Sequence, residues 1–278
     1  MDGNSEFAVC AIFRDEASYL REWLDFHTDM GASRFLLFDD GSKDGWRREV
    51  ERSRARRVRV LPARGRRQVE CYNRGLHLLR RKSPWIAFID VDEFLWSPSC
   101  TTVAEVLTQF DNFSAVFVQW VLFGTSGHQS QPEDGVITSD TRSLRLDLAA
   151  SDDWPVRKKG LGVRNPPTAN PANGKSIVNP SRIERMGLHI PKRGFEDPLL
   201  VNEEGHPLDI WASRGIQPAN KLRINHYWSK SEEELFHKFS RGHPTGRKRG
   251  DVSEFQVWLS RARELNASED TSLADRIH

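Results

Sequence analysis

Cysteine is scarce in this chain, and its three cysteines, Cys10, Cys71 and Cys100, stand far apart with no CxxC pair. That spacing excludes a disulfide framework and a structural zinc site. Cys10 falls in an apolar run and Cys71 on an expected helix, so both read as small packing residues. A long hydrophobic run is lacking too: nothing approaches the roughly 18 apolar residues that a membrane span needs. Met1 to Phe7 do not have the basic-then-apolar order of a signal peptide, and a cytoplasmic location is the expectation. Nor is there an excess of charge of one sign, the net being +2. The charge is unevenly placed, however, with ten arginines between Arg47 and Arg67. That stretch reads as a solvated surface, as attraction for an anionic ligand, or as peripheral contact with an anionic membrane. It has few aromatics for stacking on bases and no accompanying recognition motif, so nucleic acid is not an expected partner.

What is present suffices for a core: 37% of the 278 residues are hydrophobic and 10% aromatic. Phe7–Phe13 is almost wholly apolar, as a strand covered on both faces must be. Tyr19, Leu20, Trp23, Leu24, Phe26, His27 and Met30 then recur at helical spacing until Gly31. Residues 34–38, 58–61 and 85–89 read as further strands, and 68–80 as a second helix closing before Pro84. The alternation is a βαβ series and predicts an α/β fold. The second half is less regular. Ala115–Phe123 is an expected strand, residues 152–174 read as a proline- and glycine-rich loop or lid, and 175–178 and 222–227 as short strands. Helices are expected over 231–240, with Ser231 and Glu234 as a capping box, and over 252–265. The expectation is one domain over 1–278, its halves about 7–123 and about 124–265.

The chemistry concentrates in Asp90-Val91-Asp92-Glu93 at the end of the 85–89 strand. Side chains two apart on extended backbone point the same way, so the two aspartates converge. Their repulsion must be offset by a cation or by strong hydrogen-bond donors. Oxygen-only ligands favour Mg²⁺ or Mn²⁺, and such an ion makes a diphosphate a better leaving group. A second acidic pair, Asp39-Asp40, follows the 34–38 strand, and in a parallel sheet both pairs reach the same edge. Alone, Asp39 to Gly45 reads as a turn; at a strand end it also suits a carboxylate accepting the N3–H of a uracil. The Gly124 to Gly127 segment reads as a surface loop or as a place where a sugar approaches backbone amides. His243 to Arg249 reads as a basic connector or as a clamp on a diphosphate.

Several blocks resemble bacterial relatives of glycosyltransferase family 92. They are Arg14-Asp15-Glu16 with Tyr19 to Trp23 and His27, Phe38 to Ser42, Gln68 with Tyr72-Asn73, and Trp85 to Phe94. They continue through Trp120 with Phe123 to His128, Lys175 to Val178, and Asn225 to Ser231. The resemblance implies a GT-A fold, a Rossmann-like mixed-sheet domain with an irregular acceptor-side half and C-terminal helices. It also implies transfer of a sugar, often galactose from UDP-galactose, with inversion. The acceptor would be a surface glycan, a glycolipid or a glycosylated metabolite. By that likeness Arg14, Asp39, Asp40, Gln68, Asn73 and Asp90 lie at the donor, while Asp90, Asp92 and His226 hold the metal. A histidine ligand tilts the metal toward Mn²⁺. Trp120, Gly127, His128 and His189 would line the acceptor site. Inversion needs a base for the acceptor hydroxyl; Glu196 and Asp197 are first choice, with Glu133, Asp134 and Asp209 left open. Two other classes remain: a nucleotidyltransferase, against which the absence of a glycine-rich basic signature after the first strand counts, and a non-catalytic glycan- or nucleotide-binding relative.

Overall fold

The computed structural model describes residues 6–99, 102–144, 174–194, 200–208, 219–241 and 251–277. In chain order these form β1 (Phe7–Phe13), α1 (Ala17–Asp29), β2 (Ala32–Asp39), α2 (Trp46–Arg52), β3 (Val58–Pro62), α3 (Gln68–Leu79), β4 (Trp85–Phe88), β5 (Glu93–Trp96) and α4 (Val103–Leu107). Then come β6 (Ala115–Phe123), α5 (Val136–Ser139), β7 (Arg142–Ser143), β8 (Gly174–Val178), β9 (Ile183–Met186), β10 (Pro191–Gly194), β11 (Leu200–Val201) and β12 (Arg223–Tyr227). The last elements are α6 (Glu232–Arg241), α7 (Val252–Glu264), β13 (Ser268–Glu269) and α8 (Ala274–Ile277). By contacts the chain divides into two compact units, Met1–Trp120 with Ala169–Ile224, and Val121–Thr168 with Asn225–His278.

The first unit carries the expected βαβ series. β3, β2, β1 and β4 run parallel, in that order. Phe13, Asp39 and Pro62 share one row, and Phe88 pairs with Cys10, so the carboxyl ends of all four strands lie on one edge. That edge is where ligands bind in sheets of this kind. β8 then enters antiparallel between β4 and β6. β1, β4 and β8 are buried almost throughout, which explains why their sequences read as apolar runs rather than as alternation. β9 and β10 form a separate two-stranded ribbon.

Two close fits fix the helices on this sheet. A Cβ on Gly75 of α3 would lie 2.4 Å from Cys10 Sγ on β1, so glycine lets α3 sit against the strand. Gly75→Val is therefore expected to lower stability by about 2 kcal/mol or more through overpacking. Urea unfolding checks this; an unchanged midpoint would mean that α3 lifts off β1 at no cost. On the other helix, Trp23 Nε1 donates to Glu93 O at 2.8 Å, and Leu95 N–H donates to His27 Nε2 at 3.1 Å. The His27 Nδ1 faces the carbonyl of Trp23 at 2.8 Å and must carry the proton. α1 thus holds β5, and with it the acidic turn that precedes it. The ring is fully buried, and burial lowers its pKa to about 3, with the Trp23 carbonyl opposing.

In the second unit β7 pairs with Phe123 at the end of β6, and β13 pairs with β7. α6 and α7 pack antiparallel, joined at their far ends by the Arg263–Glu232 ion pair at 2.7 Å. The capping expectation at Ser231 holds on one side: Glu234 N–H donates to Ser231 Oγ at 3.1 Å. Among the described residues no helix is long and apolar enough to cross a membrane.

The arginine-rich stretch contains α2, which the sequence did not suggest because Trp46 is its one buried residue. All ten arginines except Arg66 are exposed, so the first unit carries a solvated basic surface. Cys10 and Cys71 are buried free thiols, as expected of packing residues, and burial pushes both upward, Cys71 to about 11.

Candidate active site

The centre of the site is the turn leaving β4. Glu93 N–H donates to Asp90 O at 3.0 Å, and Asp90 N–H donates to Glu93 Oε2 at 3.0 Å, which closes Asp90 to Glu93 into a compact loop. α3 supplies two side chains from one face, Gln68 and Tyr72, four residues apart. Gln68 Nε2 donates to Asp90 Oδ1 at 2.5 Å, and the Tyr72 hydroxyl donates to the same oxygen at 2.9 Å. The other oxygen, Oδ2, takes Lys175 Nζ from β8 at 3.0 Å. Both oxygens of Asp90 therefore have donors from the protein.

Lys175 stands in one of the resembling blocks, but the sequence assigns it no role. Its side chain is 2% exposed, and its ammonium also lies 3.3 Å from the Tyr72 hydroxyl and 3.9 Å from Glu93 Oε1. Burial works against that charge, but Asp90 and Glu93 outweigh it and hold the pKa above its ordinary value. Burial pushes the Glu93 carboxyl well above the usual range; Lys175 opposes this, and Asp90 and Asp92 reinforce it. Burial likewise pushes the Tyr72 phenol well up, with Asp90 and Glu93 adding to it. A fully polar lysine in a strand buried at every position was the available signal.

A carboxylate oxygen of Asp92 and one of Glu93 lie within 4.8 Å of each other. Glu93 Oε1 is buried and accepts no hydrogen bond among the described residues. A buried carboxylate oxygen without a hydrogen bond among the described residues, beside a second carboxylate, fits a hard divalent cation.

The remaining expected residues are placed as follows. Trp120 and His189 meet edge to face with centroids 5.3 Å apart, and the Lys175 ammonium is 5.9 Å from the Trp120 ring. They form an aromatic wall beside the Asp90 cluster. His189 Nδ1 donates to Gly174 O at 3.0 Å. Asp39 ends β2, and its Oδ1 accepts Ser42 N–H at 2.8 Å, so the turn reading of this segment is present. Asp40 follows it on the same sheet edge, with its N–H on Phe13 O at 2.9 Å. Arg14 is half exposed, 3.8 Å from Asp15. Asn73 does not join Asp90: its amide brackets Met186 of β9, donating to Met186 O at 3.0 Å and accepting Met186 N–H at 2.9 Å. One residue beyond Tyr72, it is turned about 100° away on the helix.

In the second unit His226 is buried near the end of β12. His128 Nε2 donates to Ser139 O at 2.8 Å. The Gly124 to Gly127 loop is tied down by Asn266, whose Oδ1 accepts Ser126 N–H at 2.8 Å and whose Nδ2 donates to Thr125 Oγ1 at 3.1 Å. A Cβ on Gly124 would lie 2.2 Å from that Oδ1, so this glycine serves packing, while Gly127 has open space and a φ of +85°. Glu133 and Asp134 are exposed. Glu196, Asp197, Asp209, most of 152–174 and His243 to Arg249 lie outside the described residues. A cleft of about 730 Å³ beside Asp44, Arg47 and Arg48 contains none of the residues named for the site.

The sequence profile of Glycosyltransferase family 92 matches residues 5–244. The chain belongs to glycosyltransferase family 92. A family 92 protein of Oryza sativa subsp. japonica is 26% identical over 242 residues, covering 84% of this chain and 35% of its own. Another, from Ricinus communis, is 26% identical over 260 residues, covering 86% and 38%. The chain thus spans a little over a third of the length of these family 92 relatives. Among solved structures, it resembles glucosyl-3-phosphoglycerate synthase from Mycobacterium tuberculosis in complex with Mn²⁺, UDP-glucose and phosphoglyceric acid. That likeness has a TM-score of 0.35 at 13% identity, covering 98% of this chain and 79% of the other.

Proposed function

We propose that this family 92 chain transfers a sugar, galactose, from a UDP-sugar to a hydroxyl of a glycan, glycolipid or glycosylated metabolite, with inversion. The observation that carries the reading is the acidic turn at the mouth of β4, where Asp90 is fixed by Gln68, Tyr72 and Lys175 beside Asp92 and the buried Glu93.

In this proposal Asp90 faces the donor, because its oxygens are already oriented by protein donors. Asp92 and Glu93 supply oxygens to Mn²⁺ or Mg²⁺, and His226 remains the nitrogen ligand on the sequence argument alone. The bound cation would supply charge neutralisation for the leaving nucleotide. Asp39 or Asp40 accepts from the uracil, and Arg14 stays on the donor side. Trp120 and His189 offer an aromatic face against which a sugar ring packs. The acceptor proton goes to Glu196 or Asp197, again on the sequence argument. The exposed arginines attract an anionic donor and allow peripheral contact with an anionic membrane from the cytoplasmic side.

A melting series tests the reading. At a hundred times its dissociation constant a ligand adds about 2.7 kcal/mol, or about 5–10 °C in a protein of this size. UDP should give that shift with Mn²⁺ and not with EDTA, and a panel of nucleotide sugars should then show Mn²⁺-dependent hydrolysis of one of them. Equal shifts with and without metal would remove the acidic turn from the mechanism.

A further inference from the structure

Paired aspartates at a strand end repel each other, and this protein meets that repulsion with a cation of its own. Lys175 stands opposite Val118 of β6, on a strand flanked by β4 and β6, which leaves its stem little freedom. Its ammonium is fixed by Asp90 Oδ2 at 3.0 Å and the Tyr72 hydroxyl at 3.3 Å, with the Tyr72 ring 5.5 Å away. Gln68 and Tyr72 hold the opposite oxygen of Asp90. All three donors thus converge on Asp90.

We infer that Lys175 is a positioning residue that locks Asp90 for the nucleoside diphosphate and, by its charge beside Glu93, tunes the affinity of the acidic turn for a divalent cation. This rests on the donor reading above. Two opposite effects follow from one charge. The ammonium holds Asp90 in the orientation that receives the nucleotide, so it strengthens nucleotide binding. The same ammonium, 3.9 Å from Glu93 Oε1, repels a divalent cation and weakens metal binding. Tyr72 contributes to the first effect through its hydrogen bond and, being neutral, has no part in the second.

The experiment uses the full chain and two probes, Mn²⁺ alone by calorimetry and UDP at saturating Mn²⁺. In Lys175→Met, Mn²⁺ affinity should rise by about threefold or more while UDP affinity falls by about tenfold or more. Lys175→Arg should recover most of the UDP affinity. Tyr72→Phe should weaken UDP by about threefold to tenfold and leave Mn²⁺ affinity unchanged. Loss of both affinities together in Lys175→Met, or no change in either, overturns the inference. Should that variant fail to fold, because removing one partner strands buried carboxylates, Tyr72→Phe decides: unaltered UDP affinity overturns the inference. A wild type that binds Mn²⁺ but not UDP overturns the donor reading and the nucleotide half with it. Wild-type UDP binding that none of the variants alters overturns the inference and leaves the donor reading standing.

Discussion

Asp92→Ala is expected, on the proposed function, to lower sugar transfer by about a hundredfold to a thousandfold and to abolish the manganese-dependent part of the UDP melting shift. Asp92 lies in the turn that α1, α3 and β8 hold in place, yet Gln68, Tyr72 and Lys175 all bond to Asp90 instead. Removing the Asp92 carboxylate therefore takes away the proposed metal ligand without dismantling the Asp90 network. The variant should remain folded, with a melting temperature within a few degrees of wild type in EDTA. It even relieves repulsion, since Asp92 is among the charges that push Glu93 upward. Activity that survives Asp92→Ala at wild-type rate would remove the metal from the reaction. A collapse of stability in EDTA would instead reassign Asp92 to structure.

Stability should fall steadily below about pH 6.5, and His27 is the reason. Its ring is held neutral in the fold, with a pKa of about 3, while in the unfolded chain it titrates near its ordinary value of 6.5. Between these values the unfolded state binds one more proton, so the folded state loses about 1.4 kcal/mol for each pH unit of acidification. The loss reaches about 2 kcal/mol at pH 5. Above pH 6.5 the contribution is fully present. Urea unfolding at a series of pH values measures the slope, and His27→Gln should remove it. The consequence reaches the active site, because protonated His27 can no longer accept the Leu95 N–H that ties β5 to α1. Should His27→Gln keep the same slope, the acid sensitivity would belong to another group.

The parallel half of the fold was legible because burial on both faces writes itself as apolar runs. β1, β2 and β4 end within a residue or so of where those runs end. β5 was not legible: it begins with Glu93, which the sequence groups with the aspartates before it, yet its four residues are all buried. α2 hides in a run of arginines with too few apolar residues to show a period. At the candidate site, Gln68 shares a helix face with Tyr72 and both bond to Asp90. Asn73, which the resemblance groups with Gln68, bonds to Met186 instead of Asp90, because helical spacing places Gln68 with Tyr72. Lys175 escaped because sequence gives the type of a residue and not its partner, here 85 positions away.

That separation has a bearing on how the protein acquires its structure. β8 is laid between β4 and β6, which are made well before it, so a chain still short of residue 174 carries two strands with open edges. The same nascent chain carries three neighbouring acidic side chains, Asp90, Asp92 and Glu93, without the Lys175 ammonium that pairs with Asp90 and Glu93 in the fold. Docking of β8 covers both edges and brings the Lys175 ammonium to the cluster together, and such a long-range step is expected to be slow. Chains truncated ahead of it are expected to aggregate, and to do so before any catalytic geometry exists.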